Sequence, residues 1–143
     1  MRIWWGYGSE HSMNLVMIGR FASVGEAESA KELIDKLATG VQAEVDAGRL
    51  EVGEPTRRFS QEMIDLLTEL NLHALSPGDL EQLVYDTQIR VHGDSVVIRT
   101  DEVDVAAHMK ILLDRKARIE IFSAHVHEAE GDALDRAGIG RRG

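Results

Sequence analysis

Leu15 to Phe21 is a short apolar run of strand formers, Leu-Val-Met-Ile-Gly-Arg-Phe, and predicts a largely buried strand. The period then changes. Val24, Ala27, Ala30, Ile34, Leu37 and Val41 recur at helical spacing, predicting a long helix that reaches about Ala47 before Gly48 stops it. Ser23 and Glu26 have the spacing of a capping box. The hydroxyl accepts from the Glu26 amide, and the carboxylate accepts from the serine amide. Glu51 to Phe59 holds Gly53, Pro55, Arg57 and Arg58, and reads as a loop.

Ser60 opens a second helix carrying Met63, Ile64, Leu66, Leu67 and Leu70, and Ser76-Pro77-Gly78-Asp79 opens a short one through Tyr85. Thr87 to Val91 alternates, with Ile89 and Val91 on one face, and Gly93-Asp94 turns the chain into Ser95–Thr100, where Val96 and Ile98 are the buried pair. Asp101 to Asp104 is expected to start a helix whose apolar side is Val105, Met109, Leu112 and Leu113. Arg118 to His127 is the final strand. The segment from Glu130 is rich in glycine and charge, and is expected to be mobile or docked on a partner.

Strand, helix, helical insertion, strand, strand, helix, strand is an α+β order. Without the insertion it is the ferredoxin-like βαββαβ pattern. Two right-handed crossovers then give an antiparallel sheet of spatial order 4-1-3-2 with its helices on one face. The 143 residues suit one domain. Its expected limits are residues 1–129, with the insertion at about 54–86 and a flexible tail at 130–143.

Net charge is -9, with 16 basic and 25 acidic residues, which speaks against a general nucleic-acid binder. No cysteine is present, so disulfides, cysteine-ligated zinc and thiol nucleophiles are excluded. The opening residues Met1-Arg2-Ile3-Trp4-Trp5-Gly6 lack the apolar stretch of a signal peptide, and no window is apolar enough to span a membrane. A cytoplasmic location is the expectation.

In the 4-1-3-2 order the first and last strands are antiparallel neighbours. The stretch Gly6-Tyr7-Gly8-Ser9-Glu10-His11-Ser12 should therefore meet Ser123-Ala124-His125-Val126-His127-Glu128 at one end of the sheet. Three readings compete for this corner. His125 and His127, two apart on a strand, share a face and could join His11 and Glu10 or Glu128 around a divalent metal such as zinc, manganese or iron. A metal-free acid/base site could instead use Glu10 or Glu128 to orient His11, His125 or His127, with Tyr7, Ser9 or Ser12 as nucleophile or proton carrier. The plainest assignment makes the histidines structural edge residues, and it carries the most weight. Gly6-Tyr7-Gly8-Ser9 has no following lysine or helix, so it is neither a P-loop nor a dinucleotide fingerprint.

Away from the helices, the sheet should present Gln88, Arg90, His92, Val97 and Arg99, joined by Arg20. This basic strip lacks the stacking aromatics of an RNA-binding sheet, so pairing with acids of the chain or of a partner is the simpler expectation. The first and last strands are apolar on both faces, and helices can cover only one. A second copy packed sheet to sheet is the simplest cover. Trp4 and Trp5, adjacent on the chain, point opposite ways if extended, so one is available to an interface.

Trp4-x-Gly6-Tyr7-Gly8-Ser9-Glu10-His11-Ser12, with Asn14 to Phe21, resembles a family of small bacterial proteins of unknown function. The likeness runs through the last strand and leaves out the C-terminal tail. It implies no assigned activity and marks Tyr7 to Ser12 as a functional candidate.

Two expectations follow. One is a non-catalytic interaction or regulatory subunit that self-associates, as a homodimer, or docks on a larger protein. Its contacts would be Trp4, Trp5, Tyr7, Ser9, Ser12, Arg90 and Arg99. The other is a small hydrolase or nuclease-like enzyme using Glu10, His11, His125 and His127, with or without a metal on His11, His125 and His127.

Overall fold

The computed structural model describes residues 14–102 and 104–123. β1 (Leu15–Arg20) leads into α1 (Val24–Asp46), α2 (Gln61–Glu69) and a 3-10 helix (Pro77–Val84). β2 (Thr87–His92) and β3 (Ser95–Thr100) form a hairpin, followed by α3 (Ala106–Asp114) and β4 (Arg118–Ser123). The four strands make one antiparallel sheet in the order β2-β3-β1-β4. Counted from β4, that is 4-1-3-2. The chain is thus α+β, and the two short helices sit in sequence between α1 and β2.

Local chemistry sets the helix starts. Ser23 is extended and its Oγ accepts from the Glu26 amide at 3.2 Å. The Glu26 carboxylate, however, accepts from the Ala22 amide at 3.2 Å, one residue before the serine amide expected of a capping box. Ser60 caps α2 through the Met63 amide at 3.1 Å.

α3 departs from expectation. It begins at Ala106 with no acid in its first turn, because Asp101, Glu102 and Asp104 lie outside the helix. The carboxamide of Gln82, from the 3-10 helix, does the capping: Oε1 accepts from the Ala107 amide at 2.7 Å, and Nε2 donates to Asp104 at 3.0 Å. This start phases the helix so that Ala107, His108, Ile111 and Leu112 are buried, while Leu113, expected on the apolar side, is 55% exposed.

The sheet's alternation divides its two faces. Met17, Val96 and Ile98 join the main core with Ala27, Ala30, Ile34, Leu37 and Val41 of α1, Met63 and Leu67 of α2, Leu80 and Leu83, and Ile111 and Leu112 of α3. All the helices therefore cover the same face. Gly19 lets α3 come close, since a Cβ there would sit 3.0 Å from Leu112 Cδ1. Val16 and Ile18 point the other way and form a separate small cluster with half-buried Val97 and Phe122.

Candidate functional site

The register joins the ends of all four strands. Leu15 lies opposite both Ser123 of β4 and Thr100 of β3, and Thr100 lies opposite Thr87 of β2. The start of β1 and the end of β4 therefore lie at one end of the sheet. The residues expected to meet there, Glu10, His11, His125 and His127, lie outside the described residues, as do Trp4, Trp5, Tyr7, Ser9 and Ser12.

An open cleft of about 240 Å³ lies at the same end, lined by Asn14, Asp86, Thr87, Gln88, Arg99, Thr100 and Asp101. Its lining is polar on both signs, so it suits a small ligand carrying hydroxyl or mixed charged groups better than an apolar one. Among the described residues, no three histidines and carboxylates are grouped closely enough to hold a metal ion.

The open face is the second site. Its three cross-strand rows are Gln88-Arg99-Val16-Phe122, Arg90-Val97-Ile18-Glu120 and His92-Ser95-Arg20-Arg118. Arg20 Nε donates to Glu120 at 3.3 Å, one of the acid pairings expected for this strip. Arg90, Arg99 and Arg118 are exposed and pair with none of the described carboxylates. Four arginines thus face one glutamate here, on a chain whose net charge is -9. The exposed side of α1, by contrast, carries Glu28, Glu32, Asp35 and Asp46. Arg118 and Phe122 of this face follow from the alternation of β4, the signal that could have placed them from sequence.

On this face Val16 is 2% exposed and Ile18 8% exposed, so β1 is buried on both of its faces.

Three ionisable groups are buried among the described residues, and each is structural. Glu44, at the end of α1, accepts from Arg49 Nε at 2.6 Å and from the hydroxyl of Ser60, tying α1 to the cap of α2. Asp79 accepts from Lys110 Nζ at 2.7 Å and from Ser76 N and Oγ at 2.8 and 3.0 Å. Burial alone would raise its carboxyl, but these donors outweigh burial and hold it below the ordinary value. His108 is buried and its Nδ1 has no hydrogen-bond partner; desolvation pushes its pKa down to about 4, so it is neutral. None of the three reaches the cleft or the open face.

Residues 1–135 match a family described as "Family of unknown function (DUF6375)". The chain belongs to the DUF6375 family. No curated protein and no solved structure matches it. The matched span of the DUF6375 family takes in the sheet, every helix and both stretches expected to converge beside Leu15 and Ser123. No helix among the described residues is long and apolar enough to cross a membrane.

Proposed function

We propose that this protein is an interaction subunit that docks an acidic partner protein across the open face of a ferredoxin-like sheet, the helical pair between α1 and β2 being an insertion in that architecture. The observation that carries this is the arginine grouping: Arg90 and Arg99 stand exposed on adjacent strands, without described acidic partners, on a strongly acidic chain. An unmatched cationic patch on an anionic molecule steers an oppositely charged surface and rejects like-charged ones. For that reason the partner is a different chain. A second copy meeting this sheet through its own would set arginine rows against arginine rows. RNA is the less favoured occupant, because the central strands present Val16, Ile18, Val97 and Arg99 where stacking rings would be needed.

The test is a titration with a labelled short peptide of alternating glutamate and leucine. Tight binding that collapses at high salt and is lost in Arg90→Glu/Arg99→Glu is the expected result. Equal binding by the folded double variant overturns the proposal. So does single-stranded RNA binding more tightly than the peptide.

A second possibility is supported by the start of β1 lying beside the end of β4, at Leu15 and Ser123. In it Glu10, His11, His125 and His127 form an acid/base or metal centre next to the polar cleft, and the protein is a small hydrolase. Hydrolysis of ester or phosphodiester substrates by the purified chain, abolished by His11→Ala or His125→Ala, is what it requires.

A further inference from the structure

β2 is the last strand of the described sheet, and its outer edge carries backbone groups that the ladder leaves unused. Their identity follows from one bond. The Phe21 amide donates to the Asp94 carbonyl at 2.8 Å, just beyond the Arg20–Ser95 pair. Bonded and non-bonded pairs alternate along an antiparallel ladder, so β1 and β3 exchange bonds at Gly19–Val96 and Met17–Ile98. Ser95, Val97 and Arg99 consequently turn their backbone groups to β2, where they meet His92, Arg90 and Gln88. The two-residue turn Gly93-Asp94 demands the same phase, since the pair that closes it, His92 and Ser95, is a bonded one. Thr87, Ile89 and Val91 are left pointing their N–H and C=O groups away from the sheet. No backbone group among the described residues pairs with them, and the Thr100 hydroxyl reaches only the Asp86 carbonyl, at 3.4 Å.

Edges of this kind are commonly blunted by proline, by a bulge or by charge. β2 has neither proline nor bulge, because six successive residues pair one to one with β3. Its side chains alternate. Gln88, Arg90 and His92 are exposed on the open face, while Ile89 and Val91 are half-buried against the main core. Arg90 is the one full charge on the strand, and no described carboxylate pairs with it.

We propose that the acidic partner binds as an extended segment added to β2 as a fifth strand, with carboxylates on the side of Arg90 and apolar residues on the side of Ile89 and Val91. This rests on the docking reading above and gives the partner's segment a conformation and a pattern. Residues directly opposite each other on paired strands have Cβ atoms about 5 Å apart, so a glutamate facing Arg90 is within ion-pair reach. The residues opposite Ile89 and Val91 make the backbone bonds, and apolar side chains there extend the core at its edge. Charge selects the occupant. A second copy offering its own β2, Thr-Gln-Ile-Arg-Val-His, brings no carboxylate to Arg90. Arg99 stands one strand further in and adds to the attraction without lying beside the new strand.

The glutamate–leucine peptide, made in two N-methylated forms, tests this on the full-length protein. In the register described, its leucine amides point to β2 and its glutamate amides point to solvent. Methylating the leucine amides should weaken binding about tenfold or more through lost backbone bonds, and methylating the glutamate amides should change it by less than about threefold. The Ile89 and Val91 amides should exchange rapidly with solvent in the peptide-free chain and slow once the peptide is bound. Equal binding by the two methylated forms overturns strand addition. So do Ile89 and Val91 amides already protected before peptide is added, whether by the chain itself or by a second copy. If binding tolerates methylation at the leucines yet is lost in Arg90→Glu/Arg99→Glu, docking on the face stands and strand addition alone has failed. An unmodified peptide that does not bind removes both.

Discussion

Leu15 and Ser123 are paired across β1 and β4, although 108 positions separate them in the chain. Their pairing places the start of β1 beside the end of β4, the two points from which His11 and His125 are four and two residues away in the chain. Because the chain has no cysteine, a His11→Cys/His125→Cys pair reports their meeting cleanly. Rapid disulfide closure under mild oxidation, within one molecule, is the expected outcome on a non-reducing gel. If the pair stays open while a Leu15→Cys/Ser123→Cys control closes, the histidine centre is excluded along with the hydrolase that needs it.

A metal centre at the same corner makes a separate demand. Zinc or manganese should raise the melting temperature of the full chain, and His125→Ala or His127→Ala should abolish that rise. A melting curve indifferent to both metals and to chelator removes the metal from consideration without touching the docking face.

His108 predicts an acid-side loss of stability. Its folded pKa, about 4, lies below the ordinary 6.5, so between those limits the unfolded chain binds a proton that the folded chain does not. Stability therefore rises with pH across that window and is fully present above it. The loss on descending is about 3 kcal/mol. His108→Leu should flatten this part of the pH profile in chemical denaturation. By removing a buried Nδ1 without a partner, it should also stabilise the chain by about 1 kcal/mol at neutral pH. The Asp79 carboxyl acts at lower pH: held down by Lys110 and Ser76, it loses its stabilising charge only as pH falls below the ordinary carboxylate range.

Ser60 serves two partners, the Met63 amide and the Glu44 carboxylate. Ser60→Ala should cost about 2 kcal/mol, more than a surface cap alone, because buried Glu44 also loses a donor. Thr substitution, which keeps the hydroxyl, should recover most of it. Loss below about 0.5 kcal/mol in urea unfolding would contradict a coupled role.

What was legible in the sequence was local. Serines before helices, alternation in the β2–β3 hairpin and the strand–helix order all act over a few residues, and they place the sheet and its two faces. What escaped was decided at long range. Gln82 caps α3 from 25 residues away, and Lys110 reaches Asp79 from 31, and neither pairing leaves a pattern in the chain. Without knowledge of the Gln82 cap, the acidic stretch before α3 looked like its start, and Leu113 like part of its buried side. The arginine face was legible from β2 and β3 alone, and the burial of β1 on both faces from its unbroken apolar run.

The docking face is tested most directly by amide chemical-shift mapping of the full-length protein with the glutamate–leucine peptide. The largest shifts are expected along Gln88–His92 of β2 and Val96–Arg99 of β3, fading as salt rises. Shifts centred on α1 or α2, or spread evenly over the molecule, would contradict the assignment of this face to an acidic partner.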